Sequence, residues 1–265
     1  MIVLKKVIQF LTGIKMIEIF DSLAHPTMDN TWLNPKFSEY CDIELLVNDM
    51  EKFKIKKALA VGLKGVGGYQ LEKYLEFLKP YKNLIPIAFC EADYDFEKLS
   101  EIKKMGYVGI KIHPRISNIE IDDDRIFEII KMANELGLVV LYCGFLGVSD
   151  KFVQKIGDEK LVFLHTGGND LKNTFEKLMD KKNILLDLSY TFCKYDELDE
   201  IIQDLFENYS DRICIGSDHP EVKLGELRNK FELLSKDLNQ DKKEKIAYRN
   251  LERIINMNNK QGEIS

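Results

Sequence analysis

The sequence of 265 residues is poor in the residue types that most often betray a function. It holds four histidines, five cysteines, six prolines and one tryptophan. No apolar run approaches the roughly 18 residues needed to cross a bilayer, so no membrane span is expected. Cys41, Cys90, Cys143, Cys193 and Cys214 are scattered, odd in number and without Cys-x-x-Cys spacing. That argues against a disulfide framework or a zinc ribbon and for a reducing, cytoplasmic setting. Cys90 and Cys214 read as buried small hydrophobes. A basic excess is also missing. The formal net charge is −6, so nucleic acid is not expected as the main partner. Residues 1–15 look briefly like a signal peptide, but Lys5 and Lys6 interrupt the apolar stretch and no small-residue cleavage site follows. They are expected to be an N-terminal extension, with 16–265 as one domain.

What the sequence does hold is a core and a rhythm. An apolar fraction of 45% supports a sizeable interior. Short β-branched runs recur at 17–21, 55–63, 84–91, 107–113, 138–143, 160–165, 183–189 and 212–218. Amphipathic stretches lie between them, such as Ile126, Ile129, Ile130, Ala133 and Leu136, whose spacing lines up one helix face. Others fall at 71–78, 96–105, 171–179, 198–206 and 224–234, and an extra helix is expected at about 240–257. Strands that alternate with helices imply parallel strands joined by crossovers. Eight such units, with no linker-like break, predict a single α/β domain, a closed (β/α)8 TIM barrel rather than an open doubly wound sheet.

In parallel α/β folds the chemistry gathers at the C-terminal ends of the strands. Those ends read Asp21, Leu63, Glu91, His113, Cys143, His165, Ser189 and Asp218. A closed barrel would bring His25, Cys143, His165 and Asp218 into one ring, and imidazole, thiolate and carboxylate are all competent zinc ligands. The gap after the first strand is the longest, so residues 25–40 would form a loop over the barrel mouth. Trp32 lies in it, either as a packing anchor for the loop or as a wall of the substrate pocket. Gly65-Val-Gly-Gly68 lacks the Gly-Lys-Ser/Thr ending of a phosphate loop and reads as a flexible mouth loop.

Six elements in order resemble the amidohydrolase superfamily, in particular its amidohydrolase-2 branch of metal-dependent hydrolases and carboxymuconate-semialdehyde-type decarboxylases. They are Asp21-Ser-Leu-Ala-His25, Gly109-Ile-Lys-Ile-His113-Pro, the segment from Glu135 to Cys143-Gly, Leu164-His165-Thr-Gly-Gly, Gly216-Ser-Asp218-His-Pro and Asn250-Leu-Glu-Arg-Ile-Ile. The resemblance implies a divalent metal, with zinc the expected ion, held by His25, Cys143, His165 and Asp218. It implies that Asp218 takes a proton from the attacking water. It also implies that His165 polarises the substrate carbonyl or donates a proton.

Two departures stand out. Leu23 occupies the place of the family's first histidine, and Cys143 that of its fifth-strand histidine. Leucine cannot coordinate, while a thiolate is a softer ligand that favours zinc or iron. Lys111 and His113 alternate along one strand and would point the same way. Lys111 is expected in a salt bridge or a substrate-anion contact, and Arg115 could clamp a carboxylate with its guanidinium fork. Glu91 would bind substrate or pair with Lys111. His219 should point away from the Asp218 side. The function these residues predict is metal-dependent hydrolysis of a small cyclic amide, lactone or ester. Metal-assisted non-oxidative decarboxylation, or a metal-free barrel that binds a small molecule, are the alternatives. A homodimer is the family-level expectation.

Overall fold

The β-branched runs form eight parallel strands paired in chain order. They are β1 (Ile19–Ala24), β2 (Ile55–Val61), β3 (Leu84–Cys90), β4 (Gly109–Ile112), β5 (Val139–Cys143), β6 (Leu161–Leu164), β7 (Ile184–Asp187) and β8 (Ile213–Cys214). The first half of the chain supplies α1 (Ile43–Phe53), α2 (Leu71–Leu78), α3 (Phe96–Met105), α4 (Pro114–Ser117), α5 (Asp124–Glu135) and α6 (Asp150–Lys155). The second half supplies α7 (Leu171–Leu178), α8 (Thr191–Lys194), α9 (Asp199–Asn208), α10 (Leu224–Leu234), α11 (Gln240–Glu244) and α12 (Asn250–Gln261). The computed structural model describes residues 16–261, so the expected extension at 1–15 lies outside the described residues. Among the described residues no helix is long and apolar enough to cross a membrane.

Helix boundaries follow their capping residues. Asp42 accepts from the backbone N–H of Glu44 at 2.8 Å to open α1, and Asp95 from that of Lys98 at 2.8 Å to open α3. Gly106, at φ 109°, ends α3 in the left-handed region where a side chain is disfavoured. The predicted apolar face of α5 is buried at Ile126, Ile129, Ile130 and Ala133.

Two apolar layers result from the period-2 alternation along each strand. Outward residues such as Ile110, Val140, Phe163 and Ile184 pack beneath the helices. Inward residues, among them Leu23, Leu59, Val61, Ile87, Leu141, Val162 and Leu185, fill the barrel. Leu251, Ile254 and Ile255 of α12 join this inner layer and close the end opposite the active face. Asn250 fixes that helix by donating to Ser210 O at 2.7 Å and Ile213 O at 2.8 Å.

Two strands depart from their predicted spans by more than two residues at an end. The first runs three residues further than expected, because register shifts against β2 carry its pairing on to Ala24. Asp21 therefore sits inside the strand, fully buried, rather than at its mouth. The eighth is a two-residue strand, because its continuation pairs with β1 through single backbone bonds rather than a ladder. Ser22 N donates to Ile215 O at 3.1 Å, Asp218 N to Leu23 O at 2.8 Å and His25 N to His219 O at 2.8 Å. This seam brings the barrel to near closure, and glycine is required in it. A Cβ at Gly216 would stand 2.4 Å from Ser22 Oγ and 2.9 Å from Leu23 N.

Candidate active site

The seam carries His25 and Asp218 to the same side of the barrel mouth. His25 Nε2 lies 3.3 Å from Asp218 Oδ1. Its Nδ1 is 2.7 Å from Val61 O. A carbonyl only accepts, so Nδ1 carries the hydrogen and Nε2 presents its lone pair. Lys111 approaches from β4, and its Nζ is 3.2 Å from that same Nε2. Burial holds His25 down to about 4, with the charge of Lys111 acting the same way and Asp218 opposing. The ring is therefore neutral at ordinary pH. Burial also lowers Lys111, against the opposing charges of Asp218, Cys143 and Asp187.

A second cluster faces the first. Cys143, at the end of β5, lies where the imidazoles of His113 and His165 both favour its thiolate. His113 Nδ1 caps the short α4, accepting from Ile116 N at 3.4 Å. His165 Nδ1 lies 3.1 Å from both Ser189 O and Ser189 Oγ. Burial alone would raise the Cys143 thiol, but the two imidazoles outweigh it and hold the thiol well below 9. Burial opposes charge on His165 as well, yet Asp218 and Cys143 lift it to about 9. Asp218 is held low against burial, chiefly by the charge of His165 and also by Lys111. Two of these residues sit in left-handed backbone, His165 at φ 59° and Asp218 at φ 56°, a strained choice for non-glycine residues.

Both clusters line one cavity of about 260 Å³. Its wall includes His25, Trp32, Lys111, His113, Arg115, Cys143, His165 and Asp218. The mouth loop does cover it. Trp32 stacks at 5.3 Å from the His25 ring and its Nε1 donates to Glu221 at 2.6 Å. The tryptophan is thus both anchor and wall. Arg115 is exposed at the rim, beside the exposed apolar groups of Leu33, Phe145 and Leu146. Glu91 is not brought to this wall. It pairs with Lys64 instead. His219 is buried beside His25 and Asp218. Glu221 and Tyr190 are pocket residues that the strand ends did not reveal, because each lies beyond the end, on the loop that follows. A larger groove of about 580 Å³ opens among Lys57, Leu84, Ile85 and Glu252 at the strand starts, where Lys57 and Glu252 pair at 3.0 Å.

Titratable groups converging at the C-terminal ends of a nearly closed (β/α)8 barrel define the chain as a barrel enzyme. Residues 68–256 match the family model Amidohydro_2, described as amidohydrolase, and the chain belongs to that family. No curated protein matches it by sequence. Among solved structures it is similar to an uncharacterised TIM-barrel protein from Bordetella bronchiseptica, with 17% identity, 92% of this chain and 100% of that one covered, and a TM-score of 0.76. A structure from Acinetobacter baumannii, described as a probable 2-pyrone-4,6-dicarboxylic acid hydrolase with citric acid bound, is 14% identical over 91% of this chain and 100% of that one, with a TM-score of 0.67. A 2,6-dihydroxybenzoate decarboxylase from Rhizobium is 12% identical over 91% of this chain and 99% of that one, with a TM-score of 0.65. At these identities the likeness speaks to the fold alone.

Members of the family generally use a divalent metal. Among the described residues, however, no three His, Cys, Asp or Glu side chains form a group that could hold a metal ion. The lone pair of His25 that would face such an ion accepts from Lys111. The residues as arranged do not fit a divalent ion.

Proposed function

We propose that the chain hydrolyses a small cyclic ester, cyclic amide or ester that carries a carboxylate. The observation that carries this reading is that Asp218 and His165 face one covered cavity. One is held as the base form and the other as the acid form. Arg115 at the rim would clamp the substrate carboxylate through its two parallel N–H groups. Asp218 would orient a water and take its proton as the oxygen bonds to the carbonyl carbon. The carbonyl pair moves onto its oxygen. Collapse re-forms the carbonyl and breaks the bond to the leaving oxygen or nitrogen, which takes a proton from His165. Trp32 and the mouth loop exclude bulk water, and the apolar groups of Leu33, Leu63 and Phe145 receive the body of the substrate. The five unpaired thiols are consistent with a reducing cytoplasm.

A panel of carboxylated lactones, cyclic amides and aromatic acids, followed by mass spectrometry in ¹⁸O-labelled water, tests the reading. Hydrolysis places one labelled oxygen in the product, whereas decarboxylation releases carbon dioxide and leaves no label. Asp218→Asn is expected to lower kcat/KM by about 100- to 10,000-fold while the far-UV circular dichroism is unchanged. Carbon dioxide release from the panel, or undiminished turnover by Asp218→Asn, would overturn it.

A further inference from the structure

The group that competes for the candidate ligand His25 lies on β4. Lys111 is 2% exposed yet lines the cavity. Its strand neighbours in register are Phe89 and Leu141, which offer the ammonium nothing to bond. It therefore reaches across the mouth to His25, the residue just after β1. Of the other three candidates, Asp218 lies 3.3 Å from the same His25 nitrogen, and Cys143 and His165 act on each other.

We propose that Lys111 supplies the fixed positive charge of this site in place of a divalent metal, and that its ammonium receives the carbonyl oxygen of the substrate. The identity of that oxygen rests on the hydrolytic reading above. An ammonium has three donors, and His25 takes one of them. The others are left for a ligand in the cavity. During attack by water the carbonyl oxygen gains a full negative charge, and a buried cation already in position stabilises it without reorganisation. Neutral His25 aims the ammonium, because its Nδ1–H is fixed by Val61 O and its Nε2 can only accept. His25 is thus a positioning residue and Lys111 a catalytic one.

Calorimetric titration of zinc chloride into wild-type protein stripped with chelator tests the first half. The expected result is no site tighter than about 1 mM, with Lys111→Met gaining at least about tenfold in affinity once the competing charge is gone. One zinc per chain bound below about 10 µM, and lost in His25→Ala, overturns the proposal. This titration needs no turnover, so it stands even if the hydrolase reading fails. With a substrate from the panel, Lys111→Met is expected to lower kcat by about 100- to 1,000-fold, and Lys111→Arg to recover part of it. Equal kcat in wild type and Lys111→Met overturns the second half.

Discussion

Replacing Asp21 by asparagine is expected to stabilise the protein at alkaline pH and to change little below pH 4. Asp21 is fully buried in the seam between β1 and the β8 extension. Its Oδ1 accepts from the backbone N–H of Leu23 at 3.1 Å and of Ser217 at 2.8 Å. Its Oδ2 is 2.6 Å from Ser217 Oγ, which lies 3.1 Å from Leu23 O. When Asp21 is protonated, its hydroxyl donates to Ser217 Oγ and Ser217 donates to Leu23 O, so all these atoms are matched. Burial raises Asp21 from 3.8 to about 7, against its hydrogen bonds to Ser217 and Leu23, with Asp187 adding to the rise. The folded state thus keeps a proton that the unfolded state has released. Its contribution to stability is full below pH 3.8 and is lost as pH climbs to about 7. The difference corresponds to roughly 4 kcal/mol, accruing at about 1.4 kcal/mol per pH unit. Asparagine, with its oxygen towards the two amides and its nitrogen towards Ser217 Oγ, reproduces the protonated form with no charge to desolvate. Urea unfolding followed by circular dichroism from about pH 4 to 9 measures the gap. The variant's advantage should widen through neutrality and then level off. A variant destabilised equally at every pH would refute the reasoning, since it would show that Asp21 is ionised in the fold and held by its three donors.

Two further changes probe the seam and the mouth. Gly216→Ala drives a methyl against Ser22 Oγ and Leu23 N and should cost about 1–3 kcal/mol, lowering Tm by roughly 5 °C in calorimetry. An unchanged Tm would mean that the seam has slack. Trp32→Phe keeps the ring over His25 but removes the bond to Glu221. The mouth loop should loosen, raising KM several-fold and leaving kcat within about threefold in steady-state assays. A fall in kcat alone would place Trp32 in the chemistry instead.

The barrel was legible because its signals are local. Alternation of β-branched and amphipathic segments needs no knowledge of contacts, and α2, α3 and α10 fall on the spans their apolar spacing predicts. Strand ends and closure pointed to the meeting of His25, Cys143, His165 and Asp218, and alternation along the fourth strand put Lys111 and His113 on one side; all six line the cavity. Partners across the mouth were less legible. That Lys111 bonds His25 while Glu91 bonds Lys64 depends on where each strand's last inward side chain reaches, and register sets that. The burial of Asp21 depends on register shifts in β1, which no composition pattern marks. Tyr190 follows Ser189, the predicted end of the seventh strand, and reading one residue further along each strand would have found it.

The central claim is hydrolysis at a site whose positive charge is built into the chain. It is tested most directly by the rate of ring opening of a carboxylated lactone by chelator-treated protein, measured before and after added zinc or manganese. The rate should match that of untreated protein within about twofold and should not rise with either ion. A rate that disappears on chelation and returns with metal would contradict the account.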